Sequence, residues 1–189
     1  MRVQSNKLVI YMMTAILVMT TVIVANGGTV KTEPEPKQMN VTNAVSGEFI
    51  LYMTGSGTIT IDCGDGTESK TYTLLPIDDY HWSKGLLQDY GYRHTYSDAS
   101  VRTIKITGEN ITHLQLGSRI LSLDVSKNPV LTWLHCGWEI VKDGKNQLTH
   151  LDVSKNPALE VLLCHNNQLT SLDVCNNIRL ISLVCSIFN

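Results

Sequence analysis

The sequence lacks the charge imbalance, the cysteine pairs and the catalytic motifs that would identify a chemistry. Its 189 residues include 15 basic and 17 acidic ones, a formal net charge of −2. This balance offers no basic stripe for nucleic acid and no polybasic contact for a membrane surface. The five cysteines contain no CxxC pair, so neither a zinc site nor a dense disulfide framework is predicted. A nucleophile elbow and a metal motif are also missing from the sequence, and we expect no metal and no cofactor.

One long apolar run stands at the start of the chain. Residues 8–25 are interrupted only by threonines and follow Arg2 and Lys7, which is the pattern of a secretory signal. The run is longer than a signal core of about 7–15 residues and close to the minimum length that spans a bilayer. A cleaved signal peptide and an uncleaved membrane anchor over residues 1–25 are therefore both open. Either one predicts a secreted or cell-surface protein.

Residues 26–43 and 44–108 differ sharply in pattern. The first interval begins with glycine, proline and charge and lacks apolar periodicity, so it is assigned to a linker. In the second, residues 58–62 alternate β-branched apolar with hydroxyl side chains, the period-two pattern of a half-buried strand. Further short strands are predicted at 49–53, 71–74, 92–97 and 101–107.

A tight turn follows the alternating strand. Residues 61–66 read IDCGDG, and residues 94–97 read HTYS before the last of the predicted strands. These motifs resemble the polycystic-kidney-disease-type (PKD-like) β-sandwich, although Cys63 stands where that family usually has an aromatic residue. The resemblance implies an extracellular spacer or interaction module over residues 44–108. Asp62, Asp65 and His94 are the residues from which a hydrolase could be argued, but we expect structural roles because no third ligand or nucleophile accompanies them.

The remainder of the chain repeats itself. Residues 123–129 and 151–157 both read LDVSKNP, and an altered third copy, LDVCNN, occupies residues 172–177. Each copy alternates with a half-unit of the form LxxLxC, and the two halves make a unit of 21 residues. In such a pattern the leucines stack on those of the next coil, and the asparagine side chains bind backbone groups at the bends. These asparagines are Asn128, Asn156, Asn167 and Asn177.

Three of the cysteines occupy the same position of the repeat. Cys136, Cys164 and Cys185 are expected to form one inward column of free thiols, in which cysteine acts as a small apolar residue. The first two are 28 residues apart and the last two 21, which indicates an insertion at the bend after Cys136. Because adjacent residues of a strand point to opposite faces, Cys164 and His165 are not expected to form a catalytic pair.

The repeat units resemble the leucine-rich repeats of bacterial surface proteins, which have the form LDVSKNPxLxxLxCxxNQLTS. Residues 148–172 match this form almost throughout. The resemblance implies a solenoid of about three to four coils over residues 109–189, with a parallel sheet on its concave side. It also implies export to the surface and binding rather than catalysis. The predicted fold class is mainly β, with a PKD-like sandwich followed by this short solenoid.

The outward side chains of the cysteine-containing halves form the candidate ligand site. Tryptophan is a frequent interface anchor, and exposed apolar patches mark binding sites. The insertion after Cys136 could instead cover this surface. The candidate ligand contacts are Trp133, His135, Val161, Leu163, His165 and Val184.

The predicted function is an exported, non-enzymatic recognition module for an extracellular protein or glycan. A structural spacer or adhesin fragment without its own ligand is the alternative, and a hydrolase is the third reading. No polar cap follows the last repeat, as solenoids normally require, so Leu180, Leu183 and Phe188 are expected to be partly exposed. This predicts a marginally stable last coil, self-association through it, or a truncated gene product.

Overall fold

The structure is a computed structural model that describes residues 37–77, 90–117, 119–137 and 146–186. Over these ranges the chain is mainly β, as expected, and its eleven strands form two sheets. The signal or anchor segment, the first part of the linker, the insertion after Cys136 and Phe188 lie outside the described residues. The described residues belong to one compact unit.

The chain crosses several times between two sheets before its last three strands join the same one. In chain order they are β1 (Gln38–Asn43), β2 (Gly47–Gly55), β3 (Thr58–Asp62), β4 (Lys70–Thr73), β5 (Gly91–Tyr96), β6 (Arg102–Gly108), β7 (Ile111–Leu116), β8 (Ile120–Asp124), β9 (Trp133–His135), β10 (Val161–Leu163) and β11 (Ser182–Val184). The five-stranded sheet has the order β4-β3-β6-β1-β8, and all its pairs are antiparallel. The six-stranded sheet has the order β11-β10-β9-β7-β2-β5.

Period-two alternation places one apolar core between the sheets. Phe49 and Met53 of β2 are buried, and so are Ile104 and Ile106 of β6 in the other sheet. Side chains of this size contribute about 1.5–3 kcal/mol each by leaving water. The same hydrophobic cluster continues through the repeat region as far as Leu169. The antiparallel and repeat regions therefore share a core.

One strand lies where a linker was expected. β1 occupies residues 38–43, within the interval 26–43, and pairs antiparallel with both β6 and β8. The side chains of Met39 and Val41 are 2% and 0% exposed. Met39 and Val41 alternate with polar residues over only a short stretch. This stretch forms a strand because β6 and β8, one on each side, supply backbone partners. Residues 38–43 are therefore a strand of the sheet and not part of a linker.

The six-stranded sheet changes direction at β7. β7, β9, β10 and β11 run parallel to one another, whereas β7 is antiparallel to β2. A coil is defined as one of these parallel strands with the chain that leads to the next. Trp133 aligns with Val161 and Val161 with Ser182, which reproduces the spacings of 28 and 21 residues. The sheet is thus continuous across the expected boundary between residues 108 and 109.

The repeated LDVSKNP phrase turns the chain between parallel strands. Oδ1 of Asp124, Asp152 and Asp173 accepts a hydrogen bond from the backbone amide two residues later, at 3.0, 2.8 and 2.9 Å. Aspartate stabilises tight turns in this way. The third turn keeps the bond although Cys175 replaces the serine, because the donor is a backbone N–H. Because each coil needs this turn, the aspartate recurs in every copy of the phrase.

The buried asparagines tie successive coils together. Nδ2 of Asn156 donates to the carbonyl oxygens of Val125 at 3.0 Å and Asn128 at 2.8 Å, both one coil earlier. Nδ2 of Asn177 makes the same two bonds, at 2.9 Å each, to Val153 and Asn156. Polar side chains buried this deeply need such partners. The expected role of the asparagines at the bends is confirmed.

A second ladder lies at the bend after the cysteine. Nδ2 of Asn167 donates to the carbonyl oxygens of Cys136 at 2.9 Å and Cys164 at 3.1 Å. Asn146, which follows the insertion, donates to the same Cys136 oxygen at 2.9 Å and accepts from the Ile120 amide. The coils that begin at β9 and β10 are therefore each bonded to a neighbour at both bends.

Candidate binding face

The parallel strands present two outward rows of side chains. In the first row Trp133 is aligned with Val161 and Ser182, and in the second His135 is aligned with Leu163 and Val184. Leu134 and Leu162, which lie between the rows, are fully buried, as the alternation of a strand requires, whereas Leu183 of β11 is 42% exposed. The register of these two rows follows the spacing of the repeat. We call this surface the binding face.

Both rows extend further than the repeat pattern predicted. β7 adds His113 beside Trp133 and Gln115 beside His135. β2 adds the half-buried Tyr52 beside Gln115, whereas Thr54, aligned with His113, is fully buried. The β7 residues could have been found, because residues 111–116 contain apolar positions with the same spacing as residues 131–136. Tyr52 carries no such signal, since it reaches the face through an antiparallel pairing.

Four rings form a connected series across the binding face. The ring centroids of His113 and Trp133 are 6.2 Å apart, and those of Trp133 and His135 are 5.6 Å apart in an edge-to-face arrangement. The rings of His135 and His165 are also 5.6 Å apart. Ring pairs at such distances stabilise each other's orientation. Three of the chain's six histidines are thus collected around one tryptophan.

A glycine sets the position of the last ring. His165 follows β10, and its ring lies against Gly137, the residue that follows Cys136. A Cβ atom at Gly137 would lie 2.7 Å from Nδ1 of His165 and 2.8 Å from Cε1, closer than real side chains allow. Glycine is therefore needed for this close approach. His165 lies on the same face as the other five candidate residues.

One ring of the binding face is kept uncharged by burial. Burial lowers the pKa of His113, which the nearby Glu160 carboxylate partly opposes, so this imidazole is uncharged at neutral pH. Oε1 of Glu160 is in turn held by the Arg179 guanidinium at 2.6 Å. The arrangement offers an apolar and aromatic centre beside one balanced ion pair.

Cys136 and Cys164, on the inner side of these strands, are chemically quiet because burial raises the pKa of both thiols. Cys136 and Cys164 are buried, Cys185 is exposed, and all are free thiols, as are Cys63 and Cys175. Burial raises the pKa of Cys164 to about 12, whereas a reactive cysteine needs a lowered pKa. The expected inward column is confirmed for its first two members.

The alternative catalytic residues form a turn. Oδ1 of Asp65 accepts hydrogen bonds from the Thr67 amide and hydroxyl at 3.1 and 2.6 Å, and its Oδ2 lies 2.7 Å from Nε2 of His94. The bonds from Thr67, followed by that from His94, hold the pKa of Asp65 well below its usual range. Oδ1 of Asp62 accepts from the Gly64 amide at 2.9 Å. Both carboxylates therefore stabilise the turn after β3.

The thiol beside this turn is not activated. Cys63 and His94 line the same cleft, but burial and then the Asp65 carboxylate raise the pKa of Cys63. The Tyr96 hydroxyl donates to the Cys63 carbonyl at 2.8 Å, and its ring packs edge-to-face on His94 with centroids 4.6 Å apart. The cluster is a packed corner rather than a nucleophile with its base.

The described ranges hold neither a metal-ligand cluster nor a membrane-spanning helix. No three histidine, cysteine, aspartate or glutamate side chains there are grouped so that they could hold a metal ion. Within the same ranges no helix has the length and apolar character needed to cross a membrane.

No protein-family model matches the chain, and no curated protein matches it. Among solved structures the chain is similar to one described as the functional domain of InlJ from Listeria monocytogenes, which includes a cysteine ladder. The two are 40% identical, and the match covers 40% of this chain and 16% of that one, with a TM-score of 0.35.

Proposed function

We propose that the protein is an exported recognition module that binds an extracellular protein or glycan through the binding face and catalyses no reaction. In this proposal the parallel strands are leucine-rich repeat coils on a PKD-like sandwich. The export is argued from the apolar run of residues 8–25, acting as a signal or an anchor. The observation that carries the proposal is the series of four rings on the outward side of the sheet.

Several properties of the rings suit them to binding. Trp133 is held on one side by His113 and on the other by His135, so little conformational freedom is lost when a ligand contacts it. Val161 and Leu163 extend an apolar surface beside it, and neither is fully buried. Such anchors carry most of the affinity of protein interfaces, and aromatic rings also stack on apolar sugar faces.

The test uses the full chain on a glycan array and on an array of extracellular proteins. Trp133→Ala and Val161→Ala change the binding face, and Val101→Ala is the control because Val101 is 66% exposed and precedes β6 of the other sheet. We expect the two face variants to lose at least about tenfold in affinity, as removal of a central anchor does. The control is expected to keep the affinity of the original chain.

Equal binding by all three variants would refute the use of this face. No binding by the original chain to any arrayed molecule would favour the spacer, which is the second candidate. The continuous core and sheet favour that candidate too, because they join the described residues into one compact unit. If the protein is a spacer, Trp133→Ala is expected to change nothing except solubility.

A further inference from the structure

His165, the last ring of the series, is packed as if it were apolar. Its ring lies so close to Gly137 that a Cβ atom there would come within 2.7 Å of Nδ1. Nδ1 is buried, and no described residue forms a hydrogen bond with it, whereas buried polar atoms usually have such a partner. The ring of His135 lies 5.6 Å away between centroids. A titratable side chain therefore occupies a site that provides no polar partner for one of its two nitrogens.

This position suits only the neutral ring. A neutral imidazole can leave Nδ1 as an acceptor, whereas the imidazolium carries an N–H on both nitrogens. At His165 the second N–H is buried without an acceptor, because the neighbouring Gly137 amide is itself a donor, to the Leu163 carbonyl at 2.8 Å. Burying an unpaired donor is unfavourable, and burying an unpaired charge is more so. The charged ring is therefore more stable in solvent than against Gly137.

The strands beside His165 offer the charged ring no negative partner on the described residues. On β9 the facing titratable group is His135, which repels His165 when both rings are charged. On β11 the neighbouring side chain is Val184, which is aligned with Leu163. Cys164 is turned inward, and burial raises its pKa to about 12, so it remains an uncharged thiol.

The carboxylate of this face is engaged elsewhere. Burial lowers the pKa of His113 on β7, and the Glu160 carboxylate acts on that ring in the opposite direction. Oε1 of Glu160 also lies 2.6 Å from the Arg179 guanidinium, which balances its charge. The charged form of His165 therefore gains no ion pair where the ring stands.

A movement of His165 reaches the centre of the binding face through two ring contacts. His165 packs beside His135, and His135 packs edge-to-face on Trp133, with centroids 5.6 Å apart in each pair. Such pairs fix each other's orientation. Release of His165 removes a ring contact of His135, and Trp133 then loses part of the order that favours binding.

We propose that the binding face is sensitive to pH: protonation of His165 in mildly acidic solution releases its ring from Gly137 and weakens the binding of a ligand at Trp133. Histidine is the side chain whose charge ordinarily changes between about pH 5 and 8, so the change separates neutral from acidified surroundings. The release of the ring is a property of the chain itself, and only its effect on affinity rests on the proposed function.

Proton NMR of the ligand-free full chain, in one detergent throughout, tests the release of the ring. Cε1 of His165 lies 2.8 Å from the position of a Cβ atom at Gly137, so the ring proton on Cε1 gives a nuclear Overhauser cross-peak to the α protons of Gly137. We expect this cross-peak at pH about 7.5 and its loss at pH about 5. A cross-peak that persists at the lower pH overturns the proposal.

His165→Phe is the matched variant, because it keeps an aromatic ring that takes up no proton. Its ring should keep the contact with Gly137 at both pH values, which also shows that the coil stays folded in acid. Loss of the contact in this variant at pH about 5 overturns the proposal, since acid would then act on another group. His150→Phe is the control, because His150 is exposed and its replacement should leave the behaviour of the original chain unchanged.

The arrays of glycans and extracellular proteins, read at both pH values, test the effect on binding. The original chain and His150→Phe should bind at least about fivefold more weakly at pH about 5, the low end of the cost of a buried donor without a partner. His165→Phe should lose most of this difference, and Gly137→Ala, which displaces the ring, should bind weakly at both pH values.

Equal affinity of the original chain at the two pH values overturns the effect of His165 on binding. Binding to no arrayed molecule at either pH counts against the proposed function instead. In that case the cross-peak to Gly137 still decides whether acid releases the ring.

Discussion

Replacing Asn156 by alanine tests whether the asparagine ladder holds the coils together. The side chain is fully buried between two coils. Its Nδ2 donates to the carbonyl oxygens of Val125 and Asn128, at 3.0 and 2.8 Å. Alanine removes both hydrogen bonds and leaves a small void, while the backbone of residue 156 keeps its own hydrogen bonds.

The expected loss follows from the partners that remain. The Val125 oxygen still accepts from the Asn128 amide, and the Asn128 oxygen still accepts from the Leu131 amide, so neither acceptor is left unpaired. Each lost hydrogen bond then costs about 0.5–1.5 kcal/mol, and the void adds about 1 kcal/mol. Asn156→Ala is therefore expected to lower the free energy of unfolding by about 2–4 kcal/mol.

Urea unfolding followed by circular dichroism measures this difference. Asn176→Ala is the matched control, because Asn176 is exposed in a turn of the next coil and changes at such sites stay within about 0.5 kcal/mol. A loss below about 1 kcal/mol for Asn156→Ala, or an equal loss for both variants, would refute the assigned role of the ladder.

Three further predictions use the same protein. Burial lowers the pKa of His113, so the folded state binds fewer protons than the unfolded chain just below pH about 6.5, and stability falls as the pH drops through that range. In His113→Gln the free energy of unfolding, measured in urea, should therefore differ less between pH about 7.5 and 5 than in the original chain. An equal difference in both proteins would contradict this role of His113. Tyr96→Phe removes the 2.8 Å bond to the Cys63 carbonyl and should cost about 0.5–1.5 kcal/mol in the same titration; full stability would show that the bond contributes nothing. Buried Cys164 should resist Ellman's reagent in the native protein while exposed Cys185 reacts, and equal labelling in peptide mass spectra would count against the inward column.

The parts of the fold that depend on local pattern were predictable. Residues 58–62 alternate cleanly and form β3 at the predicted bounds. β1 was missed because Met39 and Val41 are too few to mark a strand, and their strand depends on backbone partners from β6 and β8. Pairings between distant segments of this kind leave no periodic signal in either segment.

The candidate site was likewise predictable in part from local pattern. The rows through Trp133 and His135 were predictable because a fixed repeat length decides which positions align. Tyr52 entered the face through the antiparallel pairing of β2 with β7, which lies outside the repeat. The contact between His165 and Gly137 depends on the approach of neighbouring strands, which residue types alone do not reveal.

The pairing of β2 with β7 determines the orientation of every later coil. Met53 and Leu114 are register partners in that pairing, and both are fully buried. A slip of one residue would turn Leu114 outward, and β9 is aligned on β7 by its own register. The antiparallel pairing of β2 with β7 therefore decides which side chains of the parallel strands face the core and which face outward. Adding or removing coils would not change the register of β2 with β7. The remaining coils would therefore still present the same side chains to a ligand.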